Sequence, residues 1–393
     1  MAVMVAFGLA LMPASTDIVV VSLPGISSYF GMGTAQAQVV LSVFVLGFGA
    51  SQLVYGPLTD RFGRRPTLIA GSAIFLASSA ACMVASSIET LMVARFFQAI
   101  GCCAWTVAGR ALVRDVHGEA GTARMMGYIG AGTSLLIFCG PVVGGLLQQA
   151  FGWRAIFAFL LVYGAALLAT TTLLLDETHR QRDRHATRLR PMLHNYATLI
   201  TDRRFLGSAI CMMCLYGCIM AYLSGAPFVL MGTYGLSAWE FGLLFALSNA
   251  GFICGSMITA RQVMRLGARR LMVAGTSMLV LAGAAMAGLA IAGVHSASAV
   301  VVPYFFILFS GGLIHPNALA GAIGPFPRMA GTASALAGFL QLSAGSLVGL
   351  AVAKMHDGTA LPMATAILLC SSAMIVTFYL LVKRSLAAAS GNA

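Results

Sequence analysis

The sequence predicts an all-α membrane protein with twelve transmembrane helices, arranged as two pseudo-symmetric halves of six helices each. Charged residues make up only 9% of the 393 residues, whereas soluble domains carry about 25%. Long apolar segments recur along the chain, and one basic segment is repeated in the second half. The net charge of +12 does not form a soluble basic patch, so no nucleic-acid partner is predicted.

Each predicted span is an apolar run of about 20 residues, the length needed to cross about 30 Å of hydrocarbon. The runs are too long and too uniform for the strands of a membrane barrel, which indicates helices. The first run lacks the basic start and cleavage site of a signal peptide, so we interpret it as a span. The predicted spans are 2–24, 36–57, 66–87, 91–112, 123–149, 154–175, 205–230, 238–262, 270–292, 298–321, 329–353 and 360–382.

Basic residues cluster in alternate connections and predict the orientation. The clusters follow the second and sixth spans, separate the fourth from the fifth, and join the eighth to the ninth. They comprise Arg61, Arg64, Arg65, Arg114, Arg124, Arg180, Arg182, Arg184, Arg188, Arg190, Arg203, Arg204, Arg261, Arg265, Arg269 and Arg270. The positive-inside rule makes these connections cytoplasmic, together with both termini, where Lys383 and Arg384 close the last span. The sequence therefore predicts a multi-pass membrane protein whose arginine-rich connections face the cytoplasm.

The only long polar connection, residues 177–204, is predicted to be a cytoplasmic linker between an N-terminal half, 1–176, and a C-terminal half, 205–393. A shift of 204 residues aligns 61–71 with 265–275 at five of eleven positions. Such duplication is typical of secondary transporters, in which a site near mid-membrane is exposed alternately to each side.

The nine cysteines lie inside the apolar runs and are interpreted as free thiols. Cys211, Cys214 and Cys218 share a helical face that suits a soft metal, but packing of small residues between helices explains the spacing better. We therefore predict no metal and no cofactor.

Residues 56–65 join the second and third spans and form a candidate conformational latch. Glycine at 56 permits close approach of helices, glycine at 63 permits a tight turn, and an acid among arginines suggests an ion pair. The residues concerned are Gly56, Asp60, Arg61, Gly63, Arg64 and Arg65. The alternative is that residues 56–65 form only a basic turn between two spans and have no latch function. The segment resembles the cytoplasmic signature of the major facilitator superfamily.

Two further segments carry this resemblance. Residues 95–101 are similar to the span-four motif of the superfamily, and residues 132–145 to the span-five motif of its antiporters. The resemblance implies that the second segment is a gasket that closes the transport pathway. Packing or bending of the helix is a compatible interpretation. The gasket residues are Gly132, Gly140, Pro141, Gly144 and Gly145.

Shorter strings narrow the resemblance to the bicyclomycin/chloramphenicol-resistance (Bcr/CflA) family of the superfamily, over essentially the whole chain. They occupy 15–17, 23–24, 110–115, 225–229, 316–318 and 326–338. The resemblance implies the major facilitator fold and a monomeric, proton-coupled exporter of small drugs, whose partners are the drug, protons and the lipid bilayer. The resemblance also adds Arg114 and Asp115 to the candidate conformational latch. The second half lacks a counterpart of Asp60, and Ala99 replaces a glycine usual in the span-four motif.

Asp17 is the only one of the 11 acidic residues that falls within a predicted span and away from the loops at its ends. A carboxylate in hydrocarbon is costly unless it faces a cavity, a partner or a proton, so such an acid indicates function. Asp17 lies roughly 10 Å below the outer end of its span, and Arg95 enters the fourth span from the same side at comparable depth. We interpret both as proton-coupling residues that are able to pair if their helices adjoin, with a structural role as the alternative for Arg95. The alternative for Asp17 is a static ion pair or a helix-end position.

Other polar and aromatic residues are candidates for the substrate cavity. Arg95, Gln98, Cys102, Thr106 and Gly109 recur at helical spacing and predict a polar edge on the cavity. Phe44 and Trp105 are suited to stacking on a flat drug, with core packing as the alternative. Second-half candidates for hydrogen bonding, with interhelical ties as the alternative, are Tyr216, Tyr222, Asn249, His315, Asn317 and Gln341.

The predicted activity is therefore transport and not catalysis. The chain has no phosphate-binding loop for ATP, and its lone intramembrane acid does not make a catalytic pair. A proton-coupled transporter of a metabolite such as an amino acid or sugar is the alternative on the same scaffold. A channel or an intramembrane enzyme is a distant alternative.

Overall fold

A computed structural model of the chain describes residues 2–178 and 189–382, and the regular structure of these residues is helical. The helices are α1 Ala2–Val20, α2 Leu23–Phe30, α3 Thr34–Phe62, α4 Arg64–Met83, α5 Ile88–Phe151, α6 Trp153–Leu174, α7 Leu189–Thr201, α8 Arg203–Pro227, α9 Ala238–Ile291, α10 Ala297–Ile323, α11 Ala330–Lys354 and α12 Leu361–Thr377. Short π-helical segments, Phe228–Thr233 and Phe378–Val382, extend α8 and α12. The predicted all-α fold is confirmed.

The described residues contain eleven helical stretches that are long and apolar enough to cross a membrane. One of them, α9, covers two of the twelve predicted spans. These two spans are separated within α9 by a break in the helical conformation at Gly267. The chain forms two compact units, Met1–Met192 and Leu193–Ala393. Helix α7 lies in the segment predicted as a linker. Four linker arginines and the two basic residues after the last span lie outside the described residues: Arg180, Arg182, Arg184, Arg188, Lys383 and Arg384.

Two predicted boundaries are wrong. The fourth and fifth spans are joined in the single helix α5, because the predicted loop between them contains no proline and a glycine costs a helix only about 1 kcal/mol. The first span ends at Val20, and a separate helix begins at Leu23 with Pro24 in its first turn. Proline favours that position because the first N–H groups of a helix have no intrahelical acceptor.

The duplication is visible in the backbone. Gly63 and Gly267 are 204 residues apart and have φ angles of 102° and 75°. This region of conformational space is readily open only to glycine. Gly63 separates α3 from α4, and Gly267 bends α9 at the corresponding place. Each half therefore turns between its second and third spans on a glycine of the same repeat position.

Contacts within the first unit place alternate connections at opposite ends of the bundle. At one end, the Arg64 guanidinium donates to Asp115 of α5, and the Arg64 backbone N–H donates to the carboxylate of Glu177, which follows α6. At the other end, the Arg154 guanidinium donates hydrogen bonds to the Tyr29 hydroxyl, 3.0 Å, and to a carbonyl in the turn between α4 and α5, 3.1 Å. The spans of this unit thus alternate in direction.

Candidate functional site

Asp17 lies in the last turns of α1, four residues after Pro13, which interrupts the hydrogen bonding of that helix. Its side chain is half-buried, as are those of Leu9, Met12 and Pro13 on the same side of the helix. The Thr16 hydroxyl oxygen lies 3.1 Å from Asp17 Oδ1 and 3.0 Å from the Pro13 carbonyl oxygen. The carboxyl group is therefore neither sealed inside the first unit nor fully exposed.

Asp17 stands apart from the other acidic residues. Each of the others that the structure describes lies within two residues of a span end or outside the spans, whereas the apolar chain continues past Asp17 through Val20 to the buried Leu23 and Ile26 of α2. A group that titrates within the apolar part of the bundle changes the local charge by a full unit where water is scarce, so its protonation has a large effect on neighbouring groups.

Arg95 is fully buried in α5 and joins the helices of the first unit. Its guanidinium donates to the Ser15 carbonyl oxygen of α1, 3.0 Å, and to Gln98 Oε1, 2.6 Å, and makes a long contact of 3.5 Å with the Val40 carbonyl oxygen of α3. The Gln98 amide in turn donates to the Ser79 hydroxyl of α4 over 2.7 Å. We call these five residues the Arg95 network.

The predicted ion pair between Asp17 and Arg95 is not formed. No charged partner lies within 4 Å of either side chain among the described residues, and the positive charge of Arg95 is satisfied by carbonyl oxygens and by the Phe44 ring, 4.1 Å from the guanidinium carbon to the ring centroid. The link between the two residues is indirect, because Arg95 binds the backbone at Ser15, two residues before Asp17.

The polar stripe predicted to edge a cavity instead faces the interior of the first unit. Arg95, Gln98 and Cys102 have no exposed surface, and only Thr106 is half-buried. Phe44 lies beneath Arg95, and Trp105 is fully buried, with its indole N–H donating to the Ser72 hydroxyl over 2.9 Å. These side chains are used by helix packing and are not available for stacking on a drug in this conformation.

The gasket glycines bring α5 against α1. A Cβ atom built on Gly144 would lie 2.9 Å from the carbonyl oxygen of Ile18 and 3.0 Å from its Cα, which is closer than side chains approach a backbone. Gly140 faces the Ile18 side chain, and Gly132 faces Ala6, both at ordinary contact distances. Pro141 and Gly145 are buried beside them. The gasket therefore contacts the residue next to Asp17.

Replacement of Gly144 by alanine is expected to lower transport activity about tenfold and stability by about 1–3 kcal/mol, because the new methyl group displaces the α1 backbone beside Asp17. Gly130→Ala is the matched control on the same helix, since nothing lies within 4 Å of its Cβ position. Transport into proteoliposomes and thermal unfolding in detergent measure the two effects. Equal behaviour of both variants would show that the close approach does not matter.

The structure brings several predicted latch residues together. Arg64 Nε donates to Asp115 Oδ2 over 2.8 Å, and its Nη1 donates to Asp60 Oδ1 over 2.7 Å and to the Thr59 hydroxyl over 3.2 Å. The Arg64 side chain is only 2% exposed. Each carboxylate accepts one short, charge-assisted hydrogen bond from a different nitrogen of the guanidinium, and such bonds are stronger than those between neutral groups. We call Arg64, Thr59, Asp60 and Asp115 together the Arg64 cluster.

The remaining latch candidates lie around this cluster in different roles. Arg65 donates to the Thr172 carbonyl oxygen of α6 over 3.0 Å, and Arg61 is exposed with its guanidinium 5.2 Å from the Phe62 ring. Arg114 is exposed and makes no ion pair within the described residues. No described atom outside its own helix lies within 4 Å of the Cβ position of Gly56, so the predicted close approach there is not present.

In the second unit, three candidates for the substrate cavity contact neighbouring helices or their own helix. Tyr222 of α8 is fully buried and stacks on Tyr304 of α10, with ring centroids 3.3 Å apart. Asn317 donates to the Leu313 carbonyl oxygen of its own helix over 2.8 Å. His315 packs its ring edge-on to Phe252 at 6.5 Å. These contacts are interhelical or local ties, the alternative that the sequence left open.

Three second-unit candidates keep features expected of a binding surface. The side-chain nitrogen of buried Asn249 and the side-chain oxygen of half-buried Gln341 have no hydrogen-bond partner within the described residues. Tyr216 is half-buried against Gly345. A buried amide atom without a partner is costly, so it is a natural place for a substrate or water to bind.

Sequence reasoning missed several polar residues that pack inside the first unit. Ser15 and Ser79 complete the Arg95 network, and both amide atoms of fully buried Gln38 lack a partner within the described residues. A polar residue inside an apolar run is the signal that marks them. Glu177 entered the sequence analysis only as the first residue of the predicted linker, although its carboxylate accepts a hydrogen bond from the Arg64 backbone N–H.

Duplicated units of apolar helices that enclose charged and amide side chains are typical of multi-pass secondary transporters. The chain belongs to the major facilitator superfamily, whose profile matches residues 5–350. This confirms the resemblance read from the sequence motifs.

Two bacterial relatives support this assignment. The chain is 27% identical over 374 residues to the bicyclomycin resistance protein homolog of Haemophilus influenzae, covering 95% of this chain and 94% of that protein. It is 30% identical over 324 residues to multidrug resistance protein D of Escherichia coli, covering 82% and 80%.

Solved structures share the fold. The D-xylose-proton symporter matches with a TM-score of 0.74 at 14% identity, covering 95% of this chain and 96% of that chain. The human organic anion transporter MFSD10 matches with a TM-score of 0.72 at 18% identity, covering 97% and 98%. At such identities the likeness is one of fold alone.

Proposed function

We propose that this transporter exports small drug-like molecules of the chloramphenicol and bicyclomycin class in exchange for protons, by alternating access. The names of its relatives, a bicyclomycin resistance protein homolog and multidrug resistance protein D, support drug export. The observation that carries proton coupling is the half-buried Asp17, an acidic residue with apolar chain on both sides of it, whereas the other acids of the described chain lie at span ends or outside the spans.

The surroundings of Asp17 suit both protonation states. The Thr16 hydroxyl can donate to the ionised carboxylate, or turn to the Pro13 carbonyl oxygen and accept from the protonated acid. Neither state leaves the hydroxyl without a partner, so the proton can be exchanged without an unsatisfied group nearby.

A change of charge at Asp17 has a direct route to the helices around it. The α1 backbone is bound by Arg95 at Ser15 and abutted by Gly144 at Ile18, which places one contact on each side of Asp17. Protonation of the acid alters the forces on this short stretch of α1. Movement of α1 then shifts both the Arg95 network and the gasket.

Location and orientation belong to the same proposal. We place the chain in the bacterial inner membrane with both termini in the cytoplasm, because the arginine-rich connections of the first unit meet at one end around Arg64. Cysteine variants in the connections, labelled from either side of intact cells, test this orientation.

The function is tested in everted membrane vesicles from bacteria that lack their own drug pumps. Radiolabelled chloramphenicol or bicyclomycin should accumulate when a pH gradient is imposed and leave when a protonophore collapses it. Accumulation that is unaffected by the protonophore would refute proton coupling. If neither drug moves but a sugar or amino acid shows gradient-driven counterflow, metabolite transport replaces drug export.

A further inference from the structure

Glu177 extends from the end of α6 to the start of α4. Its Oε1 accepts a hydrogen bond from the backbone N–H of Arg64 over 3.0 Å. This N–H is the first of α4 and has no acceptor within the helix. A carboxylate at the first turn also interacts favourably with the helix dipole, and the hydrogen bond is charge-assisted. The contact spans 113 positions of sequence, so it depends on the tertiary fold.

Gly63 makes room for this carboxylate. A Cβ atom built on Gly63 would lie 2.8 Å from the carboxyl carbon of Glu177. The φ angle of 102° separately requires glycine at this position. The turn between α3 and α4 therefore has two independent reasons to contain glycine, and one of them is the presence of Glu177.

The turn at Gly63 sets the position of the Arg64 side chain. Asp60 lies in the last turn of α3, whereas Arg64 is the first residue of α4, so the distance between them depends on the angle at which the chain turns. Asp115 approaches from a third helix, α5. The guanidinium reaches both acids only if the Arg64 backbone is held in one place.

We propose that Glu177 is a positioning residue of the Arg64 cluster, which fixes the Arg64 backbone so that its guanidinium bridges Asp60 and Asp115. The proposal adds an acid from the α6 connection to a latch whose other members come from α3, α4 and α5. Its consequence for transport rests on the proposed function, but the positioning itself has a readout that needs no substrate.

The substrate-free test is hydrogen exchange of the purified full chain in detergent, read by mass spectrometry on peptides covering the start of α4. Glu177→Ala should speed exchange there on the order of tenfold, because a charge-assisted hydrogen bond is lost. Glu177→Gln keeps an acceptor oxygen and should restore most of the protection. Asp176→Ala is the matched control, since this neighbouring acid makes no hydrogen bond or ion pair within the described residues. Equal exchange in Glu177→Ala and Asp176→Ala would overturn the proposal.

Two double-substitution cycles distinguish positioning from general stabilisation. If Glu177 acts through the guanidinium, Glu177→Ala and Asp115→Asn should lower turnover by less together than the product of their separate effects, with little change in apparent affinity for drug. Gly63→Ala should be less harmful in the Glu177→Ala background, because the backbone strain is common to both backgrounds and only the clash is relieved. Multiplicative effects in both cycles would overturn the proposal. Failure of drug transport in the unaltered chain would instead count against the proposed function and leave the exchange result standing.

Discussion

Replacement of Asp17 by asparagine is expected to abolish gradient-driven drug accumulation, lowering its rate about 100-fold or more, while drug binding changes little. Asparagine has the size of aspartic acid and keeps an oxygen for the Thr16 hydroxyl, so packing of α1 is retained. It cannot gain or lose a proton. A transporter whose states bind protons equally well cannot be driven by a pH gradient, however tightly it binds its substrate.

Three measurements separate loss of coupling from loss of structure. Accumulation in proteoliposomes with an imposed pH gradient should fall, whereas exchange of drug without a gradient and thermal stability should be retained. Glu89→Gln is the control, because it makes the same chemical change at an exposed acid at the start of α5. Gradient-driven accumulation that survives in Asp17→Asn would assign coupling to another group, and loss of all three properties would indicate a structural role.

The pH dependence of transport should change in the same variant. In the unaltered chain, exchange and gradient-driven transport should vary with pH as Asp17 gains or loses its proton. In Asp17→Asn the profile for exchange should become flat over the range in which carboxyl groups titrate. This follows from the position of Asp17, which has apolar chain on both sides, whereas the other described acids lie at span ends or outside the spans.

Features that depend on residues close together in the sequence were predictable. Twelve spans follow from runs of apolar residues, and the turning glycines at 63 and 267 follow from the alignment of the two halves. The predicted span boundaries that are wrong also have local causes. Helix α5 continues through the predicted loop between its two spans, because the loop residues contain no proline and charge alone does not end a helix.

Features that depend on the direction in which a helix faces were not predictable. Depth along the spans placed Asp17 and Arg95 at a similar level, but depth does not determine which side of each helix meets the other. Arg95 turns toward the backbone of α1 and α3, where two carbonyl oxygens and the Phe44 ring satisfy its charge. A single sequence contains no information on a bond to a main-chain carbonyl, since every residue has one.

The second large effect is expected at Arg64. Arg64→Ala should lower stability by about 3–5 kcal/mol at most, the cost of removing one partner from a buried ion pair. The actual loss should lie toward the lower end because the Asp60 side chain is 49% exposed and therefore screened. Transport should fall about tenfold or more, because α3, α4 and α5 lose a side chain that joins them at this end of the first unit.

Arg114→Ala is the matched control, since it removes the same charge one residue from Asp115 at an exposed site without an ion pair in the described chain. Arg64→Lys keeps the charge but replaces a planar group with several donors by a point charge, so it should recover less than half of the lost activity. Thermal unfolding in detergent and transport in proteoliposomes measure both effects. Full recovery by lysine would mean that charge alone suffices at this position. If Arg64→Ala and Arg114→Ala behave alike, the Arg64 cluster is a packing feature of the basic loop and not a latch.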